Sequence, residues 1–154
     1  MSSRVDDDVQ PEGASADDGA SPDETLDALV QVAFQVMGVL SRIGAENELS
    51  LTQLRVFGIL RDRRPRVTEL AAHLGLDKSS ISGLIDRAER RGFLARDRNA
   101  EDRRAVEVFL TPAGRELTHQ MYDTARGELT PMLDRLDAPQ REQLRRLLWL
   151  STRN

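Results

Sequence analysis

The sequence predicts a mainly helical chain carrying one small β-hairpin, an α+β fold. Two observations carry this expectation. From residue 25 onward, apolar side chains recur every three or four positions over most of the chain. Only residues 93–110 break that rhythm, where two short apolar runs flank a charged turn. A chain of 154 residues suits one domain with appended helices, long enough to bury its own core.

Residues 1–24 hold one Arg against eight acidic groups, a net −7, and almost nothing to pack. Such a segment cannot offset the entropy of ordering, so it is expected to be a disordered acidic tail. It would serve as solvating sequence, or as a polyanion competing for a basic face elsewhere in the chain.

From residue 25 to about 44, Leu26, Leu29, Val30, Ala33, Met37, Leu40 and Ile43 form a helical stripe. Val32, Phe34, Val36 and Val39 add apolar surface outside it. A helix apolar on more than one face needs a cover, and a second copy of the chain is the economical one. Residues 51–62 predict a second amphipathic helix, ended by Arg63-Arg64-Pro65, since a residue before proline avoids helix. Leu70, Ala71 and Leu74 mark a short helix that stops at Gly75. Another begins near Asp77, a good N-cap, and stops at Gly92. Two helices joined by a tight Gly-containing turn make a helix-turn-helix.

Residues 93–96 and 105–110 then read as strands of a hairpin whose tip, DRNAEDRR over 97–104, is basic and charged. Thr111-Pro112 starts a long helix to about residue 136, bent at Pro131. Asp137-Ala138-Pro139 repeats the start signal. Leu144, Leu147, Leu148 and Trp149 line one side of the last helix.

Composition narrows the function. The chain has no cysteine, which excludes disulfides, thiolate-held zinc and thiol redox sensing, and fits a reducing cytosol. No uninterrupted apolar run approaches membrane-spanning length, and the acidic N-terminus lacks a secretory pattern, so a cytoplasmic protein with no membrane role is expected. His73 and His119 have no metal or catalytic pattern around them, and no glycine-rich phosphate loop occurs. We expect neither an enzyme nor a cofactor. The net charge of −4 divides unevenly: outside the tail it is +3, and residues 50–111 carry thirteen basic groups against nine acidic ones. Phosphate binding depends on local cations, so the acidic average does not oppose binding to DNA.

Turning the helix from Asp77 to Arg91 by 100° per residue places Ile81, Leu84, Ile85 and Ala88 on a core side. Ser79, Gly83, Asp86 and Arg90 fall opposite, with Ser82 and Arg87 beside them. Small hydroxyl residues and a glycine let a helix enter a major groove closely, and Arg reaches guanine edges or phosphates. A plain solvated helix face would show the same polarity. The hairpin shifts the balance: Arg96, Arg98, Arg103 and Arg104 lie on or beside a tip that can enter a minor groove. Asp102, two residues before Arg104, can hold that guanidinium in a fixed pose.

The stretches LTQLRVFGIL, VTELAAHLGLDKSSISGLIDRAERRGFLARD and DRRAVEVFLTPAG together resemble the MarR family of regulators over about residues 51–114. The last contains an Asp, one residue, an Arg, then a strand ending in Leu-Thr-x-x-Gly, which is similar to the family's wing signature. The resemblance implies a winged helix-turn-helix domain plus a helical dimerisation domain. Residues 1–24 would be the tail, 25–49 a dimerisation helix, 50–111 the winged domain and 112–154 the C-terminal dimerisation helices. It maps the wing arginine onto Arg104, its acidic partner onto Asp102 and the reading helix onto 78–91. DNA contacts are thus expected from Lys78, Ser79, Ser80, Ser82, Gly83, Arg87, Arg90, Arg98, Arg103 and Arg104. One departure stands out, because many relatives carry Arg where this chain has Gly83.

The implied function is a homodimeric, sequence-specific regulator of transcription, commonly a repressor, on a pseudo-palindromic double-stranded DNA operator. A small aromatic or anionic effector is the implied ligand, in a cleft near Met37, Leu40, Phe57 and His73, residues that equally suit a core. The alternative is a winged helix used as a protein-interaction module with no operator of its own.

Overall fold

The computed structural model describes residues 21–98 and 105–152. Six helices and one hairpin follow in the order α1 (Pro22–Glu46), α2 (Leu51–Leu60), α3 (Val67–Leu74), α4 (Lys78–Arg90), β1 (Leu94–Arg98), β2 (Val106–Leu110), α5 (Pro112–Leu133) and α6 (Ala138–Thr152). The mainly helical α+β expectation is met. Residues 1–20 of the expected tail and 99–104 of the hairpin tip, with Asp102, Arg103 and Arg104, lie outside the described residues. Pro22, Asp23 and Glu24, expected in the tail, instead form the first turn of α1, capped by the reciprocal Ser21 and Glu24 bonds.

Each boundary has a local cause. Ser50 and Gln53 form a reciprocal capping box at the start of α2, with bonds of 2.9 and 3.2 Å. Gly75 ends α3 at φ +65°, a left-handed turn that only glycine enters cheaply, and Leu76 N–H then donates to the Ala71 carbonyl at 2.9 Å. Asp77 caps α4 as the sequence predicts. Asp137 and Gln140 cap α6 by a second reciprocal pair, both bonds 2.9 Å. The long helix α5 runs through Pro131 and ends at Leu133, three residues short of the expected end. Pro131 lies near the terminus, where the one lost main-chain bond costs least.

The described residues divide into two units, with the boundary between Ala33 and Phe34. In the first, Leu26, Leu29, Val30 and Val32 are exposed along α1. By length and composition alone α1 is apolar enough to cross a bilayer, with a mean hydropathy of 1.4 over its most apolar stretch. Gln31 and Gln35 interrupt the apolar run without adding charge, so the average is high although no continuous run is long.

The core of the second unit lies where α2, α3, α4 and the hairpin meet. Val56 and Phe57 from α2, Leu70 from α3, Ile81, Ile85 and Ala88 from α4, and Leu94, Val108 and Leu110 from the strands are all buried. Burying such side chains stabilises by about 1.5–3 kcal/mol each. Phe93, expected as the first strand residue, instead precedes β1 and meets Phe57 edge-on at 6.2 Å. The strands pair antiparallel from Leu94 opposite Leu110 to Arg98 opposite Val106. A further bridge joins Arg66 to Glu107, and Val108 N–H donates to the Pro65 carbonyl at 3.1 Å. The segment before α3 thus covers one edge of the hairpin, a contact between residues too distant in sequence to be read from local pattern.

Candidate nucleic-acid interface

The α4 helix is fixed from behind by its core face. Ile81, Leu84, Ile85 and Ala88, the four residues assigned inward by angular position, are all buried. Lys78, Ser79, Ser80, Arg87 and Arg90 are exposed, with Ser82 and Gly83 half-buried between the two faces. At its C-terminal end, Arg91 donates to the Asn47 and Glu48 carbonyls at 2.9 and 3.0 Å and lies 5.0 Å from the Phe93 ring centre. Arg91 therefore ties the end of α4 to the turn between α1 and α2. The sequence offered no signal for this bond.

At the other end, Asp77 accepts from the Ser80 N–H at 2.8 Å and from the hydroxyls of Ser79 and Ser80 at 2.5 and 2.6 Å. These three bonds, led by the one from the Ser79 hydroxyl, hold the Asp77 carboxyl well below the usual carboxylate range. Asp77 stays charged through physiological pH, and the cap it makes weakens only in strong acid. Because each hydroxyl proton is committed to Asp77, Ser79 and Ser80 present their oxygens as acceptors. An acceptor suits the amino groups of adenine or cytosine in a major groove, whereas phosphates require donors. Lys78, Arg87 and Arg90 supply the donors on this face. At Gly83, an added Cβ would meet nothing nearer than the Arg87 guanidinium at 3.5 Å, so the position has room for a side chain.

The hairpin leaves α4 through Gly92, at φ +76°. Arg98 stands exposed at the last residue of β1, next to the tip. Arg96 does not point to the tip; its guanidinium folds back on Asp86 and Glu89. The base of the hairpin is locked by Thr111. Its hydroxyl donates to the Gly92 carbonyl at 2.6 Å and accepts from Gly114 N–H at 3.0 Å. Gly114 sits so close to the hairpin that a Cβ there would lie 2.0 Å from the Phe93 carbonyl oxygen. The Leu-Thr-x-x-Gly stretch is thereby explained: Leu110 fills the core, Thr111 caps α5 and grips the strand, and Gly114 permits the contact.

A smaller cavity, about 160 Å³, is lined by Leu40, Ile43, Phe57, Met121, Tyr122 and Arg61 among others. Of the four residues the sequence placed near a cleft, Leu40 and Phe57 line it. His73 lines a different hollow beside Arg63 and Arg64, and Met37 is exposed on α1. Arg61 stacks 4.8 Å from the Tyr122 ring centre, a partner that sequence spacing does not reveal.

The order of elements, two helices across a glycine turn followed by a buttressed hairpin, is matched by known proteins. Residues 49–106 match the model of the MarR family. Over this stretch the chain resembles the MarR family. It is 31% identical over 97 residues to an uncharacterized HTH-type transcriptional regulator of Bacillus subtilis, YfiV, covering 62% of this chain and 60% of YfiV. The chain thus spans about three fifths of that relative. Among solved structures it resembles Bordetella bronchiseptica BpsR, described in a study of how 6-hydroxynicotinic acid regulates that protein's DNA binding. The TM-score is 0.65 at 25% identity, covering 88% of this chain and 99% of BpsR. A MepR variant of S. aureus bound to an oligodeoxyribonucleotide shares the fold at 16% identity, with a TM-score of 0.60 over 82% of this chain and 94% of MepR. The winged-helix fold follows from these likenesses together.

Proposed function

We propose that this chain is a homodimeric transcriptional repressor of the MarR family that reads a pseudo-palindromic operator in the bacterial cytoplasm. The supporting observation is the division of α4 into a sealed apolar back and an open front of hydroxyls and cations, set beside an arginine-bearing hairpin. In this reading Ser79, Ser80 and Ser82 approach base edges, with Gly83 giving close access. Lys78, Arg87 and Arg90 reach bases or phosphates. Arg98, Arg103 and Arg104 enter the adjacent minor groove, with Asp102 orienting Arg104.

A second copy supplies the cover that the helices lack. Phe34 and Met37 on α1, Leu133 on α5 and Leu147, Leu148, Trp149 and Leu150 on α6 are all exposed in the single chain. Apolar residues gathered on terminal helices in this way mark an association surface. A twofold dimer would place the two reading helices at half-sites about 10 bp apart, one helical turn. Residues 25–49 and 112–154 then form the dimerisation part, and 50–111 the DNA-binding part. The cavity between Leu40, Phe57 and Tyr122, with Arg61 at its wall, suits a small aromatic anion that would change operator affinity.

The test is Arg104→Ala. On a fragment selected from the host genome, the variant should bind about 1–3 kcal/mol more weakly than the parent chain. An unchanged gel-shift midpoint would remove the hairpin from recognition. Failure of the parent chain to bind any fragment in dilute salt would favour a protein-interaction module instead.

A further inference from the structure

Arg96 occupies the middle of β1, opposite Val108, and its side chain leaves the hairpin for α4. One guanidinium nitrogen lies 2.6 Å from Asp86 Oδ1, and another lies 2.5 Å from Glu89 Oε2. A longer bond, 3.3 Å, runs to the Ser82 carbonyl. Arg96 and Glu89 are each more than two thirds shielded from solvent, so water competes poorly for this cluster. The fork geometry matters, because a planar guanidinium aims separate N–H groups at the two carboxylates in a fixed arrangement that a compact, rotating ammonium does not reproduce.

The consequence is mechanical as well as electrostatic. The Phe93 N–H bond to the Ala88 carbonyl, 3.0 Å, ties the residue before β1 to α4, and among the described residues the Arg96 cluster carries a further polar link from mid-strand to the helix. Asp86 and Glu89, three residues apart on the helix, would repel each other and any nearby phosphate if left unpaired. Arg96 neutralises both while holding the strand against the helix.

We propose that Arg96 is a positioning residue for DNA recognition, setting the hairpin against α4 so that both enter their grooves together. The inference rests on the DNA-contact reading above and adds to it a residue that touches no DNA. It predicts a separation of effects. Breaking the cluster uncouples the hairpin and leaves the α4 contacts intact.

The experiment compares full-length parent, Arg96→Gln, Arg96→Lys and the double variant Asp86→Asn/Glu89→Gln on one operator fragment. Hydroxyl-radical footprints report the minor groove, guanine-methylation protection reports the major groove, and affinities are taken at several salt concentrations. For Arg96→Gln the minor-groove protection should vanish, the major-groove protection should remain, and affinity should fall roughly tenfold or more. The slope of log affinity against log salt should fall at the same time, because the hairpin arginines leave the duplex together. Arg96→Lys should rescue little. The double variant keeps Arg96 and removes negative charge, so its binding to random DNA should rise while its minor-groove footprint fades; it also serves if Arg96→Gln fails to fold. Full minor-groove protection in either variant overturns the proposal; such protection with a salt slope reduced by about one per protomer would make Arg96 a direct phosphate contact. Absence of minor-groove protection in the parent chain would instead refute the DNA reading of the hairpin.

Discussion

Gly114→Ala should destabilise the folded chain by about 3 kcal/mol, a large share of the roughly 5–15 kcal/mol that holds a domain together. Helix propensity alone predicts the opposite sign, since Ala is favoured over Gly inside a helix by about 1 kcal/mol. The difference comes from one contact. A Cβ at residue 114 would lie 2.0 Å from the Phe93 carbonyl oxygen and 2.9 Å from its carbon, both main-chain atoms. Neither can swing away as a side chain would, so the hairpin base must separate from α5. Separation also strains the Thr111 bonds to the Gly92 and Phe93 carbonyls, 2.6 and 3.2 Å long. Thermal unfolding of the variant measures this directly. A melting temperature equal to or above that of the parent would mean the junction yields easily and does not fix the hairpin.

Trp149→Asp should convert a dimer to a monomer and weaken operator binding by about 100-fold or more. Trp149 is 63% exposed in the single chain, and Leu147, Leu148 and Leu150 beside it are also exposed. Four consecutive apolar residues facing water are costly on a solitary helix, and aromatic residues of this kind dominate association energies by about 2 kcal/mol or more. A buried carboxylate at that position would lack a partner. Losing the dimer removes the second half-site, and with it the gain from tethering two reading helices. Sedimentation velocity and fluorescence anisotropy on one sample check both effects. Retention of the dimer with normal DNA binding would move the interface away from α6.

Much of the fold was legible because its signals are local. Asp77, Gly75, Gly92 and Thr111-Pro112 marked helix ends by their own conformational needs, and the structure ends its helices there. The core face of α4 followed from a 100° turn per residue, and all four predicted residues are buried. What stayed hidden depends on contacts between distant segments. Arg91 carries no local signal of a partner, yet it binds carbonyls 43 and 44 residues earlier in the chain. Arg96 was grouped with the tip arginines because strand register was unknown; pairing with Val108 places it mid-strand, within reach of α4. The engagement of Ser79 and Ser80 by Asp77 was within reach of sequence reasoning, since a capping carboxylate and hydroxyls two and three residues on are natural partners. Helix α1 shows the limit of counting continuous runs, since its uncharged glutamines break the run yet leave a mean hydropathy of 1.4.

The central claim is that two copies of this chain present α4 and the hairpin to successive grooves of one duplex. Its most direct test is the mass of the complex formed with a genomic operator fragment, determined by sedimentation equilibrium across a salt series. The predicted result is two chains per duplex, with affinity falling steeply as salt rises. One chain per duplex, or binding indifferent to salt, would contradict it.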